Sequence, residues 1–455
     1  MPDYKKKLDE QFASYLMEAI QENDIDAFRA EFLEVHPYDQ AKFFVGQERD
    51  IRQQIYSYLS PTEMAELFHN LESEDQEEIL QEMDPAYVAD MLSQMYADDA
   101  VDVLNELEKD QVVSYLTIMD DEAAQEIKDL LHYEEKTAGS IMTTEFVSIS
   151  ANQTIRNAMK ILKSEAPEAE TIYYIYVVDD EERLVGVISL RDLIIAEDDK
   201  LISEVMNDRV VSVSVSEDQE NVARMIKDYD FLAVPVLDFQ RHLLGIITVD
   251  DILDVMAEEA SEDYSKLAGV PDFESNDYSA FSAARKRLPW LVILLFLGMF
   301  TASLIGRFEE TLQQVSILAI FIPLIAGMAG NTGTQALAVA VRGIALGESD
   351  HKSKIQMLRK EIGTGLIIGF TCGLLVMVVV NVIWEHSFYL GLLVGISIFS
   401  TLTVSTMAGA LIPLIMHKFK IDPAVASGPF ITTLNDIISI LIYFGLATLL
   451  MNYLV

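Results

Sequence analysis

The chain has 455 residues, with 73 acidic against 32 basic side chains and a formal net charge of −41, yet its mean hydropathy is +0.22. Charge and apolarity on this scale must occupy different segments: residues 281–455 carry 11 basic and 8 acidic side chains, a net of +3, and everything before them a net of −44. So acidic a front repels nucleic-acid phosphate and attracts cations, while a single cysteine, Cys372, excludes disulfides within the chain, iron–sulfur clusters and thiolate zinc sites.

The first residues, Met1-Pro-Asp-Tyr-Lys-Lys-Lys, lead into an acidic amphipathic stretch with no apolar core, so no cleavable signal peptide is expected. Residues 60–131 then divide without gaps into six 12-residue repeats: SPTEMAELFHNL, ESEDQEEILQEM, DPAYVADMLSQM, YADDAVDVLNEL, EKDQVVSYLTIM and DDEAAQEIKDLL. Each opens on polar or acidic residues suited to a helix N-terminus and closes on Leu or Met. This pattern predicts a superhelix of short helices, each burying its apolar face by stacking on its neighbours. Pro61 and Pro85, near repeat starts, argue against one long helix.

A second repeat covers about 137–257. Met142-Thr-Thr-Glu-Phe-Val-Ser-Ile-Ser pairs with Met206-Asn-Asp-Arg-Val-Val-Ser-Val-Ser, and Gly186-Val-Ile-Ser-Leu-Arg-Asp-Leu with Gly245-Ile-Ile-Thr-Val-Asp-Asp-Ile. These residues resemble tandem CBS domains. In CBS pairs that bind adenosine nucleotides, the final Asp, here Asp192 and Asp251, holds ribose hydroxyls while an aromatic stacks on the base; Tyr174, Arg191 and Phe231 are candidate partners for ATP. The alternative is that both Asp residues only cap the helix that follows.

Beyond the second module, Asp251, Asp254, Glu258 and Glu262 recur at helical spacing, with Glu259 and Asp263 alongside. Like charges three and four residues apart repel, and Lys and Arg are too few nearby to neutralise them. Further acids stand at Asp98, Asp99, Asp218, Asp228 and Asp230. Carboxylates without Cys or clustered His select hard cations such as Mg²⁺ or Ca²⁺.

Five apolar stretches, about 288–306, 315–341, 362–384, 389–416 and 428–450, are each long enough to span a bilayer. Basic residues gather before the first (Arg285, Lys286, Arg287), after the second (Lys352, Lys354, Arg359, Lys360) and after the fourth (Lys418, Lys420). By the positive-inside rule the N-terminus is expected in the cytoplasm and the C-terminus outside. Asp436, deep in the fifth stretch, marks an ion path by default. Gly and Pro in the second, from Pro323 to Gln335, are expected to turn backbone carbonyls out of the helix toward a wet cavity.

The run Pro323-Leu-Ile-Ala-Gly-Met-Ala-Gly-Asn-Thr-Gly-Thr-Gln335, the run Ser427-Gly-Pro to Asn435-Asp436, the CBS pair, the acidic linker and the helical front together resemble the MgtE family of magnesium channels over essentially the whole chain. The resemblance implies a multidomain fold: an all-α superhelical N-domain (1–135), an α/β tandem CBS pair (136–257), an acidic connecting helix and linker (250–280) and a five-span α-helical bundle (281–455). It implies a homodimer in the cell membrane with its pore on the dimer axis. Asp436 of both copies would bind hydrated Mg²⁺ there, and Pro323, Gly330, Asn331, Gln335 and Thr432 would line the path.

The family also implies feedback closure by cytoplasmic Mg²⁺. Its ligands would be Asp251, Asp254, Glu258, Glu259, Glu262 and Asp263 on the linker, Asp218 and Asp230 on the second CBS module, Asp99 and Glu66 on the helical domain, and Asp422 at the pore mouth. Gly428 departs from the pattern, standing where some members are expected to carry Asn. A nucleotide-sensing membrane receptor without a pore is the competing reading, but it leaves Asp436 unexplained. No nucleophile–base pair or phosphate-binding glycine loop points to an enzyme.

Overall fold

The computed structural model describes residues 2–71, 73–270, 280–345, 351–384 and 388–450. It comprises two compact units, Met1–Ala257 and Glu258–Val455.

In the first unit each 12-residue repeat forms one helix: Pro61–Phe68, Ser73–Leu80, Pro85–Leu92, Ala97–Asn105, Lys109–Ile118 and Asp121–Leu130. The repeat openings supply the caps. Ser60 and Glu63 form a reciprocal capping box, Asp84 accepts from the Ala86 N–H, and Pro61 and Pro85 occupy first-turn positions where a missing N–H costs nothing. The side chains that follow are buried, Met64, Leu67, Phe68, Val88, Met91 and Leu92 among them. Stacking runs mainly between alternate helices: Pro61–Phe68 packs on Pro85–Leu92, which packs on Lys109–Ile118, and Ala97–Asn105 packs on Asp121–Leu130. Eight-residue helices have too little surface to stand alone, so the shared core holds them.

The CBS pair follows as two three-stranded sheets. The first is Phe146–Ser150, Thr171–Val178 and Leu184–Ser189; the second is Val213–Ser214, Ala233–Leu237 and Leu243–Thr248. In each, the first strand runs parallel to the second and the second antiparallel to the third. The two modules exchange their leading residues. Met206, which opens the second repeat, lies against Gly186 of the first, and Met142, which opens the first, lies against Gly245 of the second. A Cβ on Gly245 would stand 2.5 Å from the Thr143 carbonyl oxygen, which accepts from the Ile246 N–H. The glycine of each repeated motif is therefore the contact point for the other module.

The second unit holds helices Ala280–Gly306, Ile322–Ala345, His351–Ile383, Phe388–Lys418 and Gly428–Leu449. All five, the second with the preceding 3-10 turn Ser316–Phe321, are long and apolar enough to cross a membrane. Helix Phe388–Lys418 is the most buried of them. It approaches His351–Ile383 through Gly395 against Gly373 and Phe399 against Gly369, and Ile322–Ala345 through Gly409 against Gly333. Small residues at such crossings let backbones close on one another, the usual source of cohesion where lipid removes the hydrophobic drive. None of the residues of helix Ala280–Gly306 is buried.

Candidate cation-binding sites

In the first unit, acids from four segments meet. Helix Ala97–Asn105 carries Asp98 and Asp99 in its first turn, where the helix dipole favours negative charge. Its leading N–H, at Ala97, donates to Glu145 Oε1 at 3.1 Å. Glu145 is itself held by Thr143 Oγ1 at 2.7 Å and the Thr144 N–H at 3.1 Å. Asp98 is 6% exposed, and its Oδ1 has no hydrogen-bond partner; neither does the buried Oε2 of Glu170. Glu170, Asp250 and Asp251 each bring a carboxylate oxygen within 4.8 Å of the others. Burial, then the charges of Asp251, Asp99, Glu170 and Glu145, push the Asp98 carboxyl well above its ordinary range. Burial and Asp251 push Glu170 up to about 7. Burial pushes Asp251 up to about 6 against the opposing hydrogen bonds of Thr248.

The base beside this group is His69, whose Nδ1 lies 3.0 Å from Asp99 Oδ1. The hydrogen bond it donates to Asp99, with the charges of Asp99, Asp251 and Asp254, holds its pKa above the ordinary value. One imidazolium cannot balance so many carboxylates. Orphaned buried oxygens from separate segments, with no sulfur among them, fit an oxygen-seeking divalent cation.

The second cluster lies at the far end of the connecting helix, Val249–Ala268. Lys266 Nζ sits 2.5 Å from Glu262 Oε1 and 2.6 Å from Asp422 Oδ2, the latter in the loop before the fifth membrane helix. Burial opposes the Lys266 charge, but the hydrogen bonds to Asp422 and Glu262 outweigh it and raise its pKa. Burial, then Asp422 and Glu259, raise Asp263. Lys266 thus offsets part of the negative charge in the last turns of this helix, one base against its seven acids. The helix ends at Gly269, whose φ of +74° suits glycine and whose missing Cβ leaves room for the Trp290 indole, 2.8 Å from where that Cβ would stand.

In the membrane helices, Asp436 and Thr432 lie four residues apart on one face of Gly428–Leu449, and both are partly exposed. Thr432 lies over Gly330, where a Cβ would come within 2.7 Å of its methyl, and Asn435 lies over Gly333. Asn331 and Gln335, also four apart, are exposed on Ile322–Ala345, and Pro323 is exposed in that helix's first turn. Ile322–Ala345 is one uninterrupted α-helix. The expectation that its Gly and Pro residues turn carbonyls out of the ladder is therefore not met. Pro323 needs no N–H partner so near the start, and the glycines serve as seats for side chains of the fifth helix. A Cβ on Gly428 would make ordinary contacts, 3.4 Å from Thr334 Cγ2 and 3.5 Å from the Leu267 carbonyl oxygen.

Other expected site residues stay apart. Asp218 caps the start of helix Gln219–Tyr229, and Asp230, at φ 52°, ends it. They lie at opposite ends of an 11-residue helix, about 18 Å apart along it, so they cannot share an ion. Glu66, Asp254 and Glu258 are exposed. Ser189 Oγ donates to Asp192 Oδ2 at 2.6 Å and accepts from the Asp192 N–H at 3.1 Å. The Thr248 N–H and Oγ1 both donate to Asp251 Oδ2. Both carboxylates thus take part in capping the helix that follows. Tyr174 pairs with Ser189 across the sheet, Arg191 is exposed, and Phe231 stacks on Tyr229 with centroids 5.3 Å apart. Sequence reasoning passed over Glu170, Asp250 and Glu145, and noted Asp98 only as an acid; nothing local to these residues marks them as neighbours.

Residues 322–446 match the family model MgtE, a divalent cation transporter, residues 35–136 the MgtE intracellular N domain, and residues 138–199 and 202–258 the CBS domain. Over 452 residues, 99% of each chain, the sequence is 53% identical to the magnesium transporter MgtE of Enterococcus faecalis. The chain belongs to the MgtE family. It is similar to the solved soluble part of a magnesium transporter, at 55% identity and a TM-score of 0.54 over 55% of this chain and 99% of that one. It is also similar to the cytosolic domain of the Mg²⁺ channel MgtE in complex with ATP, at 39% identity and a TM-score of 0.51 over 53% and 99%. The helical front, the CBS pair and the five apolar helices are those of a membrane-embedded MgtE transporter, in a family of cation carriers rather than an enzyme class.

Proposed function

We propose that this MgtE protein is a Mg²⁺-selective channel of the cell membrane, mediating Mg²⁺ uptake and closed by cytoplasmic Mg²⁺. The observation that carries the permeation reading is Asp436, a carboxylate well inside a membrane-spanning helix. An ionised group there is tolerated beside water or a counter-charge. Asn331 and Gln335 support the same reading, because exposed amides on a membrane helix also require water or a partner. In a homodimer these faces would meet across an axis, with the N-termini cytoplasmic. Mg²⁺ sheds water reluctantly and is held through few carboxylates, so a pair of Asp436 side chains would bind it largely hydrated. Thr432, Gly330 and Pro323 would border the same path.

The regulatory half rests on the acidic clusters. Carboxylates crowded at Asp98, Asp99, Glu170, Asp250 and Asp251 repel until a divalent ion shares their oxygens. Glu259, Glu262, Asp263 and Asp422 would take such an ion at the pore mouth, and Glu66, Asp218, Asp230, Asp254 and Glu258 would add ligands from their own surfaces. ATP would act as a modulator through Tyr174, Arg191, Asp192 and Phe231, a reading supported by the ATP complex of the 39% identical cytosolic domain.

The deciding experiment is Mg²⁺ uptake into proteoliposomes against internal Mg²⁺ concentration, for the wild type and Asp436→Ala. Uptake that falls as internal Mg²⁺ rises, and is abolished in the variant, is expected. Unaltered flux in Asp436→Ala sinks the pore assignment.

A further inference from the structure

The connecting helix Val249–Ala268 carries seven acidic residues and one basic residue, Lys266. A lysine in the last turn of a helix is ordinary, since it complements the dipole. This one does more than that. Its ammonium binds Glu262 on its own helix at 2.5 Å and Asp422, 156 residues further on, at 2.6 Å. It therefore ties the end of the connecting helix to the loop that starts the fifth membrane helix. Asp263, half-buried, feels Asp422, Glu259 and Glu262 as well as Lys266.

We infer that Lys266 is a tethered competitor for divalent cations, its ammonium holding the carboxylate oxygens that a Mg²⁺ ion must take to bridge the connecting helix and the pore mouth. The inference rests on the regulatory reading above and deepens it. Mg²⁺ coordinates oxygen at about 2.0–2.1 Å. An ammonium bonded to the same carboxylates would stand within a few ångströms of the ion, where like charges repel strongly. Direct Mg²⁺ binding at Glu262 and Asp422 thus requires Nζ to leave. A fixed internal cation that must be displaced raises the Mg²⁺ concentration at which the site fills, which makes Lys266 a residue that sets the threshold rather than a ligand.

Two measurements on the full chain test this. In the wild type, acylation of the Lys266 amine by an N-hydroxysuccinimide ester, read by peptide mass spectrometry, should rise severalfold between chelator and 20 mM Mg²⁺ at constant ionic strength, because displacement frees the amine. An acylation rate that is flat or falls overturns the inference. In the second, Lys266→Gln should lower the Mg²⁺ concentration for half-maximal protease protection of the connecting helix by about fivefold, the weight of a partly exposed ion pair. Lys266→Arg, which keeps the charge, should stay within about twofold of wild type. A midpoint that is unchanged or raised in Lys266→Gln overturns the inference. If protection of the wild type shows no Mg²⁺ dependence, the regulatory reading fails, and the acylation result then decides the displacement on its own.

Discussion

Glu170 offers the sharpest test of the buried acidic cluster, because neutralising it should stabilise the protein. Its carboxyl is raised from the ordinary 4.5 to about 7, by burial first and then by Asp251. At about 1.4 kcal/mol per pH unit this amounts to about 3 kcal/mol when the group is ionised, and residual solvent contact discounts it to roughly 2 kcal/mol. The sign follows from linkage. An acid whose folded pKa lies above its unfolded value holds its proton longer in the folded state, so its contribution to stability is greatest below about pH 4.5 and is lost as pH rises through 7. In chelator, the cluster should therefore loosen between pH 5 and pH 8. Glu170→Gln removes the charge and keeps the shape of the side chain. At pH 8 without divalent ions, hydrogen exchange in helix Ala97–Asn105 and in 249–257, corrected for intrinsic rate, should slow by about 30-fold in the variant, the equivalent of roughly 2 kcal/mol. Added Mg²⁺ should protect those segments in the wild type and much less in Glu170→Gln. Faster exchange in the variant, or undiminished Mg²⁺ protection, would refute the view that these carboxylates await a cation.

Three further predictions concern other parts of the molecule. Asp436→Asn keeps the shape and removes the charge, so Mg²⁺ flux in proteoliposomes should fall at least tenfold while size-exclusion behaviour stays unchanged. Asn331→Leu with Gln335→Leu should likewise cut flux without unfolding the bundle, because both side chains are exposed; retained flux would remove these amides from the path. Gly245→Ala would bring a Cβ within 2.5 Å of a backbone oxygen, and overpacking of this kind costs about 1–3 kcal/mol. Thermal unfolding followed by circular dichroism should show the loss in Gly245→Ala but not in Gly298→Ala, which has nothing within 4 Å of the added methyl.

Periodicity carried much of this architecture. The 12-residue repeat translates into one helix per repeat because its caps, its first-turn prolines and its apolar positions act within a few residues of each other. The five membrane helices were legible for a similar reason, since length and hydropathy suffice when lipid is the solvent. The paired CBS motifs were legible as well, but not the reason for their glycines, which lies in the other module: Gly186 meets Met206 and Gly245 meets Met142. Local pattern also misled in one place. The Gly and Pro content of 323–335 reads as a broken helix, yet packing against Thr432 and Asn435 gives those glycines a use inside an intact one.

By itself the sequence determined where the charge lies, which segments are helical, which cross a membrane and that Asp436 is a carboxylate in apolar surroundings. Each of these depends on residues near one another in the chain. Which acids share a field was decided by tertiary structure alone. Asp98, Glu145, Glu170 and Asp251 come from separate helices and loops, and Lys266 reaches Asp422 across 156 positions. Coulomb energy depends on distance through space and on burial, and neither is written in local composition.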